Sequence, residues 1–296
     1  MKAYVLNPMA LAGLKAGYNR PLDRHDFPHG TIPDAVGRYI PGVGELRRFA
    51  NITGIGGSQA MAVDTFGWTS DQKHPLHTLA ETKDGRFFRY VKAGASALVV
   101  GDCIQSPAIV PNHLALTAAA TAIGATQTVF TLGATLATAN QYAEGYLGVD
   151  TTPDLGRTYT ISGHAAVASA GSMTLNLMPD DPVQVAFTTS TRLGLIANPG
   201  AGVIQMPVTT ATGTLVGVGN AAVAASNYGW VQSRGLKSTL IAGTPALGAI
   251  VMTPGATAGA AEIIVAAGTL IVAQIVGKMA QVGVSGKCNF VYLMID

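Results

Sequence analysis

The sequence predicts a mainly β protein, in which antiparallel β-sandwich or small β-barrel modules follow an extended, proline-rich N-terminal arm. Apolar and polar residues alternate with a period of two in several segments, which is typical of half-buried antiparallel strands. Turn signals recur about every 8–12 residues, as they do in sandwiches and barrels. No long amphipathic helical pattern interrupts them. We therefore expect an arm at residues 1–80, a first β domain at 81–200 and a C-terminal barrel-like domain at 201–296.

The N-terminal arm is predicted from charge and proline content. Residues 1–105 carry 12 basic and 9 acidic side chains, whereas residues 106–296 carry only 6 and 7. Prolines that exclude a long helix and favour extended backbone are spaced through this part of the chain, at Pro21, Pro28, Pro33 and Pro41. We expect the arm to lie along another surface. An ordinary loop-rich packing segment is the alternative.

The strands of the body are predicted from turns and alternation. Asp84 and Gly85 are expected to form a two-residue hairpin turn, with Arg86–Val91 as the outgoing strand. Tyr159 and Ile161 alternate with polar neighbours, which indicates a strand with one buried face.

One helix and several further strands are predicted after the arm. Leu114–Ala122 is the best helical candidate in this part of the chain. The further strands are Cys103–Gln105, Met173–Leu177, Leu215–Val218, Trp230–Gln232, Thr239–Ala242, Leu247–Met252, Ile263–Ala266, Leu270–Val276 and Phe290–Ile295.

The charge content is low, at 11% of residues against about 25% in typical domains. Because 18 basic residues are nearly balanced by 16 acidic ones, no nucleic-acid partner is expected. The longest uncharged window, Leu193–Ser233, is broken by Pro199 and Pro207, so no membrane-spanning segment is expected either. A soluble chain with so few charges must cover its strand edges in closed barrels or in a tight oligomer. We expect a homotrimer.

The patterns that resemble catalytic or ligand motifs favour turns instead. Gly217–Ala222 matches a dinucleotide-binding fingerprint, but the next acidic residue, Glu262, lies too far along the chain. His74 and His77 are spaced to share a metal on a helix, but Pro75 between them excludes a regular helix. The sequence therefore predicts a protein that is not an enzyme, with no cofactor and no metal ion.

Arginines interleaved with aromatic residues mark a candidate partner-binding surface in the first third of the chain. Arginine binds carboxylates through two parallel hydrogen bonds and is enriched in interfaces. The predicted contact residues are Arg38, Arg47, Arg48, Phe49, Trp68, Arg86 and Arg89. A solvated face with its aromatic residues in the core is the alternative.

Three segments carry a family resemblance, namely Asp84–Gly94, Gln141–Leu147 and Tyr228–Gln232. Together they resemble tailed-bacteriophage capsid decoration (cement) proteins, or related virion structural proteins, in patches over residues 80–296. The resemblance implies a non-enzymatic, mainly β and trimeric protein on the outer surface of the capsid, bound to the major capsid protein. A trimeric tail-associated or receptor-binding adhesin of the virion is the alternative.

Overall fold

The computed structural model describes residues 61–208, 210–253, 255–263 and 273–296, together with the backbone of three short strands in the first 40 residues. We number the strands in chain order. The first seven are β1 (Lys2–Val5), β2 (Ile32–Pro33), β3 (Tyr39–Ile40), β4 (Met61–Asp64), β5 (Leu79–Glu81), β6 (Phe87–Ala93) and β7 (Cys103–Gln105).

Six strands follow in the middle of the chain, after a 3-10 turn at Pro111–His113. They are β8 (Leu116–Thr117), β9 (Gln127–Thr131), β10 (Tyr146–Val149), β11 (Thr158–His164), β12 (Ser172–Leu177) and β13 (Arg192–Ile196). The last seven are β14 (Ala201–Gln205), β15 (Leu215–Gly219), β16 (Tyr228–Ile241), β17 (Ile250–Thr253), β18 (Glu262–Ile263), β19 (Gln274–Met279) and β20 (Lys287–Met294). The prediction of a mainly β protein is confirmed.

The larger of the two main sheets contains a ring of five strands. Strand β6 pairs with β16, which pairs with β15, and β7 and β14 complete the circuit back to β6. Only the β6–β14 pair of this ring is parallel, so the sheet is mixed. The ring is filled by small β-branched and aliphatic side chains, such as Val91, Ile104, Val203 and Val231. We call it the first barrel.

The same sheet continues into a second, nearly closed barrel. The C-terminal half of β16 pairs with β20, and β19, β17 and β18 follow in order. A bridge between Ile241 and Ala261, next to β18, brings the two ends of this sheet together. Val251, Val276 and Val291 form part of its core. The 14-residue strand β16 is therefore shared by both barrels.

Strands β8–β13 form a separate antiparallel sheet in the order β8-β13-β10-β11-β12-β9. Its two edges approach each other through a bridge between Ala118 and Phe130. Tyr159, Met173 and Leu195 are among the buried residues of its core. The chain enters this sheet after β7 and leaves it before β14, both of which belong to the first barrel. We call it the inserted barrel.

The strand pairing crosses the predicted boundary between the domains 81–200 and 201–296. Strands β6 and β7, from the predicted domain 81–200, pair with strands of the predicted domain 201–296. Strand pairing defines sheets rather than domains, so the boundaries themselves stay predictions. Strands β4 and β5 join the larger sheet, and most of the predicted arm lies outside the described residues.

Hydrogen bonds connect the inserted barrel to the connection between β4 and β5. The Glu144 carboxylate accepts hydrogen bonds from the backbone N–H of Leu76 and from Gln72 Nε2, both at 2.5 Å. The Asn198 side chain, which is buried, donates to the Glu144 carbonyl oxygen at 2.8 Å. The same Nδ2 atom donates to the Leu76 carbonyl oxygen at 3.4 Å, so one buried amide bonds both segments.

Two local predictions are wrong. Leu114–Ala122 is not a helix, because Leu116 and Ala118 point inward while their neighbours are exposed, and strand pairing overrides the helical preference of alanine. The hairpin before β6 has a three-residue loop rather than a two-residue turn. Gly85, with φ of +78°, follows a turn closed by its N–H to the Thr82 carbonyl oxygen at 2.9 Å.

Candidate interaction surfaces

Two groups of exposed apolar side chains stand out on the barrels. The first, which we call the loop patch, consists of Phe66, Trp68, Val99 and Val100, each between 48% and 51% exposed. The second, which we call the sheet face, lies on four adjacent strands of the second barrel. It consists of Leu236, Ile250, Ile275, Phe290, Tyr292 and Met294, each between 39% and 55% exposed. Contiguous exposed apolar groups of this kind mark interaction sites in soluble proteins.

The loop patch is built on the connection between β15 and β16. Asn220 in this connection donates a hydrogen bond from Nδ2 to the Thr65 carbonyl oxygen at 2.7 Å, which holds the loop that carries Phe66. On the other side, the Leu98 N–H donates to the Val223 carbonyl oxygen at 2.8 Å, which holds the loop that carries the two valines. Both loops are therefore anchored on the same short segment.

Close backbone packing supports this arrangement. A Cβ atom on Gly219 would lie 2.1 Å from the carbonyl oxygen of Val99, so only glycine fits there. The Cβ of Trp68 lies 3.6 Å from the position a Cβ on Gly229 would take. The backbone that carries the indole is thus packed against β16 at Gly229.

The sheet face follows from the alternation of side chains along β20. Asn289, Val291 and Leu293 point into the second barrel and are buried. Phe290 and Tyr292 take the alternate positions and point outward. The outer face of an antiparallel sheet is usually polar, and here it is apolar.

Neighbouring strands extend this face into a continuous row. Leu236 on β16 lies opposite Tyr292 on β20, and Tyr292 lies opposite Lys278 on β19. Lys278 in turn lies opposite Ile250 on β17. At about 4.8 Å between strands, the row extends over roughly 14 Å.

Cations and one carboxylate lie among and beside the sheet face, since Glu262 on β18 lies opposite Met252 on β17, which lies opposite Ile275. Lys278 lies within the row, and Arg234 lies opposite Met294, with its guanidinium 5.1 Å from the centroid of the Phe87 ring. Lys287, at the start of β20, is exposed.

The predicted contact residues have different environments. Trp68 is exposed and belongs to the loop patch. Arg86 forms an ion pair with Asp84 at 2.9 Å, and Arg89 forms one with Asp296 at 2.9 Å. Their side chains are mostly covered, so contact with a partner would have to compete with these internal pairs. Arg38, Arg47, Arg48 and Phe49 lie outside the described residues.

The Arg89–Asp296 pair belongs to a cluster that also contains Ser233 and His77. Burial of the Asp296 carboxyl group acts to raise its pKa. Hydrogen bonds from Arg89 and Ser233 and the charges of Arg89 and His77 outweigh burial, so the pKa lies below its usual value. Burial lowers the pKa of His77, the Arg89 charge adds to that effect, and Asp296 opposes it. The cluster holds the end of the described chain against β6 and β16.

The sequence motifs weighed for chemistry are structural in this fold. Gly217–Ala222 covers the end of β15 and the connection that supports the loop patch. The His74 ring lies 5.1 Å from the Tyr90 ring and 5.5 Å from that of Trp230, where it packs against aromatic residues. Within the described ranges, no three His, Cys, Asp or Glu side chains are grouped to hold a metal ion.

Sequence reasoning missed the sheet face. The strand Phe290–Ile295 was predicted, but both of its faces are apolar, so alternation alone could not tell which one is buried. The signal that could have identified the face is that all five residues from Phe290 to Met294 are apolar. Such a strand places apolar side chains on its outer face as well as on its inner face.

Comparison with known proteins gives no relative: no protein-family model, no curated protein and no solved structure matches this chain. In the part of the chain that the structure describes, no helix is long and apolar enough to cross a lipid bilayer.

Proposed function

We propose that this chain is a bacteriophage head decoration protein. It binds the outside of the capsid shell, bridges neighbouring copies of the major capsid protein and stabilises the head. The observation that carries the proposal is the sheet face, since six large apolar side chains on four adjacent strands mark a surface for permanent contact. The sequence resemblance supports the same role.

The loop patch supplies a second contact in this proposal. Trp68 is the strongest anchor in it, because tryptophan is among the residues that dominate binding energy in interfaces. The loop patch adjoins the first barrel, whereas the sheet face belongs to the second. Two apolar surfaces on one body suit a protein that bridges neighbouring subunits.

Self-association and the arm complete the proposal. A homotrimer presents three copies of each surface and gains affinity by multivalency. Residues 1–80 add contacts across capsid subunits through their arginines and aromatic residues. Light scattering of the purified chain should return three chain masses, and a monomer mass would overturn the trimer.

A trimeric adhesin at the tail would use similar surfaces, so the experiment must separate the two functions. Quantitative gels of purified virions should give copy numbers comparable with that of the major capsid protein. Gold-labelled antibodies against the chain should mark the whole head surface. A few copies located at the tail tip would contradict the decoration function and favour the adhesin.

A further inference from the structure

A lysine and a primary amide are held in direct contact between the two barrels. The Nζ atom of Lys237, on β16, lies 2.7 Å from Oδ1 of Asn220, which directly follows β15. Asn220 is only 2% exposed, and its Nδ2 donates to the Thr65 carbonyl oxygen at 2.7 Å. Both ends of the amide are therefore fixed, in a place that bulk water does not reach.

The environment of Lys237 favours its neutral form. Burial lowers the pKa of its amino group to about 8, and the positive charge of Arg86 adds to the effect. The Cys288 thiol acts in the opposite direction. An ordinary lysine has a pKa of about 10.4 and holds almost no free lone pair near neutral pH. At slightly alkaline pH the Lys237 nitrogen is a nucleophile for a large fraction of the time.

Thr65 provides a second, independent observation at the same place. Its side chain is 1% exposed, and its Oγ1 hydroxyl is buried without a hydrogen-bond partner. An unpaired buried hydroxyl is costly and unusual. This hydroxyl belongs to Thr65, whose carbonyl oxygen accepts the hydrogen bond from Asn220 Nδ2.

We propose that Lys237 and Asn220 form an intramolecular isopeptide bond. The Lys237 Nζ attacks the Asn220 Cγ, so that the Nζ–Cγ bond forms and the Cγ–Nδ2 bond breaks. A proton passes from Nζ to the departing nitrogen, and ammonia leaves. The reaction needs no oxidant, reductant or further reactant.

The bond would join the end of β15 to the middle of β16. It closes a loop over residues 221–236 and links the connection that supports the loop patch to the strand shared by both barrels. A covalent link of this kind restricts the unfolded chain as a disulfide does, but it resists reduction. It would strengthen the chain where the two barrels meet.

The intact mass of the purified full chain tests the proposal. After the folded protein is kept at a pH above the Lys237 pKa of about 8, the denatured and reduced chain should weigh one ammonia molecule less than its sequence predicts. Fragmentation after protease digestion should identify one branched peptide that contains both Asn220 and Lys237. Incubation in strong denaturant should abolish the reaction, because it requires the folded contact.

Two matched variants separate the isopeptide bond from other losses of ammonia. Lys237→Arg keeps the positive charge and a hydrogen-bond donor but cannot react, so it should retain the full mass. Lys83→Arg changes an exposed lysine outside both apolar surfaces and should react like the parent chain. A parent chain that keeps its full sequence mass overturns the proposal. Loss of ammonia from Lys237→Arg would also overturn the proposal, because the ammonia would then come from a succinimide formed at an asparagine.

Discussion

Tyr292 at the centre of the sheet face gives the sharpest test of this surface. Its side chain is 55% exposed in the free chain. A tyrosine buries about 150–250 Å² when it is fully covered, so a partner would cover roughly 80–140 Å². At about 25 cal/mol per Å² this corresponds to about 2–3.5 kcal/mol. The substitution Tyr292→Ser should therefore weaken binding to capsids by roughly 30–300-fold.

The assay is titration of mature heads with the purified chain, followed by sedimentation to separate bound from free protein. Ile123→Ser is the matched control, because Ile123 is 67% exposed but belongs to the inserted barrel. Thermal unfolding of each free variant should stay close to that of the parent, since both side chains face solvent. Unchanged affinity of Tyr292→Ser, or an equal loss in Ile123→Ser, would refute the assignment of the sheet face.

Three further predictions concern the stability of the free chain. Glu144→Ala leaves the Leu76 N–H without its acceptor and should lower the free energy of unfolding by about 1–2 kcal/mol in urea titrations. Glu144→Gln keeps an acceptor, so it should lower the free energy of unfolding by less. Equal losses in the two variants would contradict the role of this contact. Because the folded pKa of Asp296 lies below the unfolded value of about 3.9, its contribution is present at neutral pH and is lost as the pH falls through the folded pKa. Arg89→Gln should remove most of this acid sensitivity in urea titrations at successive pH values, and an unchanged pH dependence would count against the pair. Gly277→Ala places a Cβ 1.9 Å from the Tyr292 carbonyl oxygen and should lower the free energy of unfolding by more than about 2 kcal/mol. Gly148→Ala, whose Cβ would lie 3.9 Å from the Gly194 carbonyl oxygen, should be mild in the same titrations.

Local patterns predicted the strands where one face is buried and the other is solvated. Strand β11 follows the predicted alternation, with Tyr159 and Ile161 buried. The predicted break between Trp230–Gln232 and Thr239–Ala242 is absent, because β16 continues through Gly235 at φ of +88°. Glycine is read from sequence as a strand end, but here the pairing with β20 continues through Gly235 without a shift. The register shift of β16 lies between Gln232 and Arg234, where the strand pairs with β6.

The long-range pairing could not be predicted from any local pattern. Strand β7 pairs with β14 and β15 after the whole inserted barrel intervenes, so Gln105 lies opposite Ile204 and Leu215. Such contacts depend on the shape of the assembled core rather than on nearby residues. The candidate surfaces could be predicted only in part from the sequence, for the same reason. Sequence pointed to Trp68 as a contact, but the exposure of Tyr292 depends on which face of the second barrel is filled.

The way the sheets close determines how the chain can associate. The Ile241–Ala261 and Ala118–Phe130 bridges occupy backbone groups that open sheets would leave free for another strand. Association through these barrels should therefore use side chains on their faces rather than strand addition. Binding should shield Trp68 fluorescence from quenchers and Tyr292 from chemical labelling, without new exchange protection of backbone amides along β9 or β18. New protection confined to those amides would show that strand pairing, and not the two apolar surfaces, holds the partner.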